Sequence, residues 1–226
     1  CAFFIKERCG VHERAGLQFE LALWEAGRQA VAGVDEAGRG ALAGPVVAAA
    51  VILSSHPDAL APLVGRVDDS KRLTPRQREL LYGEVTARAL AVGVGRCEAS
   101  EIDRLGIVPA TRRAMSLALA ALSLRPDYVL IDYLTLPDLT CPQRGIPHGD
   151  ALSLSIAAAS IIAKVTRDRW MVEQARVYGG YGFDLHKGYG TASHREALER
   201  LGPCTQHRLS FAPLATPQLR LDVHVD

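Results

Sequence analysis

Asp35 and Glu36 stand side by side at the end of the apolar run 31–35. Asp132 closes a second apolar run, 128–132, and Asp150 stands just before an Ala- and Ile-rich stretch. A single acid at such a place is commonly a turn former or a helix cap. Two adjacent acids cannot both cap one turn, and a loop acid need not follow a run as apolar as Val-Leu-Ile. Acids so placed can converge at one end of a sheet, where the loops of α/β folds gather. Clustered carboxylates repel one another. A hard divalent cation such as Mg²⁺, which favours oxygen ligands and keeps several waters, is their natural partner. Two such ions ~3.5–4 Å apart would stabilise the attacking and leaving oxygens of phosphoryl transfer.

Directly after the paired acids comes Gly38-Arg39-Gly40. The two glycines let backbone groups approach a ligand closely. The spacing to Gly44 loosely suggests a dinucleotide-binding loop, but that fingerprint needs a helix after the loop. Here Pro45 and a Val- and Ala-rich strand pattern follow, and two acids stand where a pyrophosphate would approach. The turn is too long for a two-residue hairpin loop, so the segment is expected to project.

The positioning elements are read from periodicity and punctuation. Runs 31–35 and 45–53 are strand-like, and 54–67 is a loop. Thr74, Pro75 and Gln77 form a capping box with proline at the first helical position, opening a helix to about residue 91. Residues 91–97 alternate as a strand. Ser100 and Asp103 suggest a further capped start, and 109–122 has helical spacing. Segment 128–132 reads as a buried strand and 133–149 as a loop with three prolines. A long helix is expected over 155–178, apolar first and charged later. A Gly-rich loop around 186–191 leads into a last helix, capped by Thr191 and running to Leu201. Strands and helices in this order give a mixed α/β domain.

The chain has 226 residues, with 48% hydrophobic and 23% charged, enough for one large domain with its own core. No window approaches the ~18 apolar residues of a membrane span. The run 2–5 is too short for a signal peptide. Five scattered cysteines form no CxxC pair, so neither a zinc site nor a disulfide framework is suggested. A reducing cytoplasm is the expected compartment. Net charge is only +1, so nucleic-acid binding has to rest on local patches.

Residues 33–40, Gly-Val-Asp-Glu-Ala-Gly-Arg-Gly, with Gly44-Pro45-Val46, resemble the signature of ribonuclease HII, the type-2 ribonuclease H family. Further stretches match in the family's order: Asp69-Ser70-Lys71 with Leu73, Leu130-Ile131-Asp132, Gly149-Asp150, the helical stretch from Ile156 to Asp168, 186–191 (His-Lys-Gly-Tyr-Gly-Thr), and His207-Arg208 with Ser210-Phe211. The likeness spans roughly residues 19–213, leaving 1–18 as a lead-in and 214–226 as a tail. It implies a ribonuclease H-like fold: a mixed central sheet flanked by helices, with a C-terminal helical extension. It also implies a monomeric, Mg²⁺- or Mn²⁺-dependent endonuclease. The substrates would be RNA–DNA hybrids and duplex DNA holding single ribonucleotides.

By motif, Asp35, Glu36, Asp132 and Asp150 are the implied metal-binding acids. Gly38, Arg39 and Gly40 would contact the ribonucleotide 2′-hydroxyl, the group that tells RNA from DNA. Tyr189 would stack on the sugar of the following deoxynucleotide. Lys71, Lys164, Arg167, Lys187 and Arg208 are candidates for phosphate contacts, and Asp168 is read as pairing with a neighbouring arginine. Three positions depart from the family's usual residues. Ala41 replaces a common proline. Tyr133 stands where a small residue is common, which would narrow the cleft. His148 replaces a lysine, which would make activity sensitive to pH. Two alternatives share the fold: a non-catalytic binder of hybrids, and a nuclease acting on DNA alone.

Overall fold

The computed structural model describes residues 14–215; the expected tail from 216 on and most of the expected lead-in lie outside them. In chain order the elements are α1 (Gln18–Glu25), β1 (Val31–Ala37), β2 (Val46–Leu53), α2 (Pro57–Leu60), a 3-10 turn (Ser70–Arg72), α3 (Pro75–Arg88), β3 (Ala89–Cys97), α4 (Ala99–Leu105), α5 (Ile107–Ala120), β4 (Tyr128–Asp132), β5 (Gln143–Ile146), α6 (Gly149–Leu152), α7 (Leu154–Val177), α8 (Phe183–His186) and α9 (Ala192–Leu201).

Five strands form one mixed sheet in the order β3-β2-β1-β4-β5. β1 pairs antiparallel with β2, and β2 with β3; β1 and β4, and β4 and β5, run parallel. Side chains alternate between the faces of a strand, and the core divides accordingly. Val31, Ala49, Val51, Leu53 and Leu130 pack toward α7 and α3. Ala32, Val34, Ala48, Ala50, Ile52, Val129 and Ile131 pack toward α4 and α5. Every residue of β2 is buried, because helices cover both faces of the strand. Each fully buried Ile or Leu contributes ~1.5–3 kcal/mol.

α7 crosses β1 and β2 at close range. Its first half is Ala157, Ala158, Ala159 and Ala163 among isoleucines, all buried, so small side chains let its backbone come down onto the sheet. Gly33 completes the approach: a Cβ there would lie 2.1 Å from the Ser155 carbonyl carbon. A third, smaller core joins Leu42, Ala43, Met171, Tyr181, Phe183, Ala197 and Leu198. It is the C-terminal helical part, packed on the loop that follows the Gly-Arg-Gly turn.

Several expectations are corrected. The 133–149 loop contains β5, a short edge strand with Gly145 inside it and Pro142 and Pro147 flanking it, which mimic loop punctuation. The start suggested by Ser100 and Asp103 is capped instead by Glu98, in a capping box with Glu101. α3 ends at Arg88 and hands over directly to β3, three residues earlier than the periodicity indicates. The Gly-Arg-Gly segment projects only at its tip, where Arg39 is half-buried and Gly40 is exposed. Gly38 is buried, and the carbonyls of the loop are gripped from below by two arginines. No helix among the described residues is long and apolar enough to cross a membrane.

Candidate active site

The ends of β1 and β4 and the start of α6 deliver the acids. Asp35 and Glu36 lie on β1, beside the β4 segment that ends at Asp132. The Gly149 N–H donates to Asp132 Oδ1 at 2.8 Å, which brings α6, and with it Asp150, against the β4 end. The α6–α7 junction is held from behind by Glu20, 1% exposed. Glu20 Oε1 accepts from Ser153 Oγ at 2.6 Å, Ser155 Oγ at 2.6 Å and the Ser155 N–H at 2.9 Å. An anion there also complements the positive N-terminal end of α7.

A cavity of about 590 Å³ is lined by Asp35, Glu36, Asp132, the turn at 38–40, Lys71, Lys164 and Tyr189. Asp150 does not line it, but stands beside it with Oδ2 3.5 Å from Lys71 Nζ. Ser70 and Arg78 line it too, and the sequence reading missed both. Arg78 donates to the Ser70 carbonyl at 2.8 Å, and Ser160 Oγ on α7 donates to Ser70 Oγ at 2.8 Å. Arg78 lies on α3, more than 40 residues from Asp35, Glu36, Asp132 and Asp150, so only the fold brings it in.

The electrostatics are those of a crowded acid site. Burial pushes the Asp35 carboxyl well above its ordinary range, with Glu36 and Asp132 adding repulsion. Burial also raises Glu36, although Arg39 pulls it back, and raises Asp150, where Asp69 and Asp132 add to the effect and Lys71 opposes it. Burial works to lower the Lys71 ammonium, but Asp69, Asp150 and Asp35 outweigh it and raise it.

Among the described residues, no group of three or more His, Cys, Asp or Glu is arranged to hold a metal ion by itself. The acids are turned onto local partners. Asp35 Oδ1 accepts from the Glu36 N–H at 2.6 Å, and Glu36 Oε1 takes Arg39 Nη1 at 3.2 Å. The donor chemistry nonetheless fits a hard cation. It is all carboxylate oxygen, mutually repelling, and Glu36 Oε2 is buried with no hydrogen-bond partner. Mg²⁺ keeps several waters and needs only one or two carboxylates, not a closed cage.

The basic residues separate into two groups. Lys71 and Lys164 reach the cavity. Arg167 and Arg208 do not reach the surface: both are fully buried. Arg167 donates to the carbonyls of Pro45, Ala43 and Lys187, each at 2.9 Å. Arg208 donates to Gly44 through Nε at 3.0 Å and Nη2 at 2.8 Å, and to Arg39 at 2.8 Å. Burial lowers both guanidinium pKa values, that of Arg208 to about 9. Phosphate contact is corrected for these two to a clamp on the loop. Lys187 turns back onto the Asp184 carbonyl and does not line the cavity. Asp168 pairs with Lys164 at 2.7 Å, not with an arginine. The Lys164 ammonium and Arg167 guanidinium lie 5.4 and 5.3 Å from the centre of the Tyr189 ring, within cation–π range.

The family model described as Ribonuclease HII matches residues 32–214. The chain belongs to the ribonuclease HII family. It is similar to "Ribonuclease HII" of Dehalococcoides mccartyi, 53% identical over 195 residues, or 86% of this chain and 92% of that relative. The fold is similar to that of the ribonuclease H2 from Pyrococcus horikoshii OT3, with a TM-score of 0.64 and 26% identity, covering 81% of this chain and 94% of that one. It is also similar to Bst-RNase HIII solved in complex with Mn²⁺, with a TM-score of 0.67 and 22% identity over 86% of this chain and 70% of that one. Membership makes the chain a ribonuclease H endonuclease that cleaves the RNA strand of RNA–DNA hybrids.

The departures from the ribonuclease HII pattern take definite places. Ala41 is buried and its N–H donates to the Gly38 carbonyl at 3.3 Å, a bond proline cannot make. Tyr133 and His148 adopt left-handed backbone, φ 58° and 57°. Tyr133 is 66% exposed and absent from the cavity wall, so it does not narrow this cleft. Lys187 shares the left-handed conformation, φ 53°. Among the described residues these three are the only non-glycines with positive φ. Each stands within two residues of Asp132, Asp150 or Tyr189, as backbone strain at functional sites does.

Proposed function

We propose that this ribonuclease HII nicks duplex DNA on the 5′ side of an embedded ribonucleotide, leaving 3′-hydroxyl and 5′-phosphate ends, and also cleaves longer hybrids. The observation that carries this reading is the shared wall of one cavity: Glu36, the turn at 38–40 and Tyr189 line it together.

Asp35, Glu36, Asp132 and Asp150 would hold Mg²⁺ or Mn²⁺. When bound, the ions supply charge neutralisation and activation of water for in-line attack at phosphorus, with the 3′ oxygen as the leaving group. The chain's own residues do the rest. The turn at 38–40 offers backbone groups to the 2′-hydroxyl, and Gly40 has no atom within 4 Å of the place a Cβ would take, so a sugar can come close. Tyr189 stacks on the next deoxyribose, its ring backed by Lys164 and Arg167. Lys71 and Lys164 meet phosphates, positioning the strand without reading its sequence. Such an activity suits removal of misplaced ribonucleotides and of RNA primers.

The test is a duplex bearing one ribonucleotide, incubated with Mg²⁺ or Mn²⁺. A single nick 5′ of the ribonucleotide, lost in Asp35→Asn, supports the reading. Binding without cleavage in any divalent metal, or equal cutting of an all-DNA duplex, overturns it.

A further inference from the structure

Three histidines and a cysteine are packed beneath Tyr189. His194 and His207 are buried, with their Nε2 atoms 3.1 Å apart. His186 stacks on His194 at 4.3 Å between centroids. Phe183 meets His194 edge-on at 5.6 Å and Tyr181 tilts against His207 at 5.0 Å. Neither His194 nor His207 has a carboxylate partner among the described residues.

Backbone groups at both ends dictate where the protons sit. The Cys204 N–H donates to His207 Nδ1 at 2.9 Å. An amide N–H can only donate, so that nitrogen is an acceptor and the ring proton of His207 is on Nε2. The Cys204 thiol also lies 3.2 Å from the same nitrogen, which suits an acceptor. His207 Nε2–H then donates to His194 Nε2, leaving the His194 proton on Nδ1. That nitrogen is 2.9 Å from the Tyr189 carbonyl, which can only accept. The Cys204 carbonyl, 3.3 Å from His207 Nδ1, already accepts from the His207 N–H at 3.0 Å and so does not require a proton there. The donors then run in one direction, and only if both rings are neutral. His186 follows the same logic separately: the Gly188 N–H donates to its Nδ1 at 3.2 Å, and its Nε2 donates to the Tyr181 carbonyl at 2.7 Å.

We propose that His194 and His207 form a neutral positioning pair that sets the height of Tyr189 against the Gly-Arg-Gly turn, with His207 holding His194 in the one tautomer that can bind the Tyr189 carbonyl. This rests on the reading of Tyr189 as the sugar platform. The pair adds a side-chain link between two loops that the Leu42 N–H joins to the Gly188 carbonyl at 2.8 Å and Arg167 bridges through Ala43 and Lys187. His194 belongs to α9, just after the Tyr189 loop. His207 bridges to Ala43, beside Arg208, which grips the Arg39 carbonyl. The ring-to-ring hydrogen bond adds to these ties the one that ends on the Tyr189 carbonyl itself. Burial, with His194 adding to it, holds the His207 pKa down to about 4, in keeping with a neutral pair.

The experiment combines two readouts on the full chain. ¹⁵N spectra of the imidazoles at neutral pH should show His194 protonated on Nδ1 and His207 on Nε2. The opposite tautomer at His194, or a ring titrating near its ordinary value, overturns the pair. His207→Phe removes the donor, whereas His207→Gln retains an N–H at the Nε2 position. The fluorine line of Tyr189 in fluorotyrosine-labelled protein, identified with Tyr189→Phe, should shift in His207→Phe and return in His207→Gln. An unmoved line in both overturns the positioning role whatever the activity. KM for the single-ribonucleotide duplex should rise about tenfold in His207→Phe, the size of one net hydrogen bond, and recover in His207→Gln. On a Tyr189→Ala background the His207→Phe effect should vanish; an undiminished loss there overturns the proposal. If Tyr189→Ala alone leaves KM unchanged, the sugar-platform reading fails, and the fluorine line still judges the pair.

Discussion

The Arg208 guanidinium donates to the Arg39 carbonyl at 2.8 Å, across 169 residues of chain. The residue proposed to face the substrate is therefore held from beneath by one that never meets it. Arg167 does the same for the other loop, joining Ala43 to Lys187. The Gly-Arg-Gly turn and the Tyr189 loop are fixed relative to each other by two buried guanidiniums whose partners are all carbonyls.

Arg208→Met should act on stability rather than on phosphate contact. It leaves the Gly44 and Arg39 carbonyls with no donor from that side chain, and each unsatisfied buried acceptor costs ~1–3 kcal/mol. A fall in Tm of several degrees is expected, with the salt dependence of substrate binding unchanged. Lys71→Ala should do the reverse: near-native Tm, with the slope of log affinity against log salt reduced by about 1. Binding titrations at several salt concentrations and thermal melts check both, and a shallower salt slope in Arg208→Met would return that residue to the phosphate contacts.

Asp35→Asn should abolish nicking yet raise Tm in chelator. Burial and its acidic neighbours raise the Asp35 pKa in the folded state. Between its unfolded value of ~3.9 and that raised value, the folded state binds more protons, so its stability falls as pH rises through the window. Above that raised value the ionised carboxylate is a full liability, which the amide removes. Added Mg²⁺ or Mn²⁺ should raise the wild-type Tm by mass action and that of Asp35→Asn less. A lower metal-free Tm for the variant contradicts this account.

Two glycines near the acids should behave oppositely. Gly33→Ala puts a methyl 2.1 Å from Ser155 backbone, which neither β1 nor α7 can give up, so a loss of ~3 kcal/mol or more is expected. Gly40→Ala meets no atom within 4 Å and should change stability by no more than ~0.5 kcal/mol, while raising KM for ribonucleotide-containing duplexes. Denaturant melts and steady-state kinetics separate the two effects.

Acid should loosen the C-terminal part. The folded His207 pKa is held down to about 4, against ~6.5 when unfolded. The unfolded state therefore binds more protons between these values. Stability from this group is complete above ~6.5 and is lost as pH falls toward about 4. The drop in Tm over that range should be smaller in His207→Gln, and an identical drop would show that another group governs it.

By itself the sequence determined what is local. It placed β4 at its observed bounds, the capping box of Thr74 and Gln77, the Thr191 cap and the course of α7 to within a residue at each end. Each depends on neighbours a few positions away or on a strong apolar period. It also singled out Asp35, Glu36 and Asp132 at the ends of apolar runs, and these three line one cavity. β5 was hidden, since a four-residue edge strand holding Gly145 between two flanking prolines looks like a loop until β4 is there to pair with it. Only the tertiary structure decided the fate of the charged residues. Lys71 and Lys164 face the cavity, while Arg167 and Arg208 are buried beneath it and Arg78 arrives from α3. Burial of a cation is set by which carbonyls the fold brings within reach of it, and those lie 20 to 169 residues away.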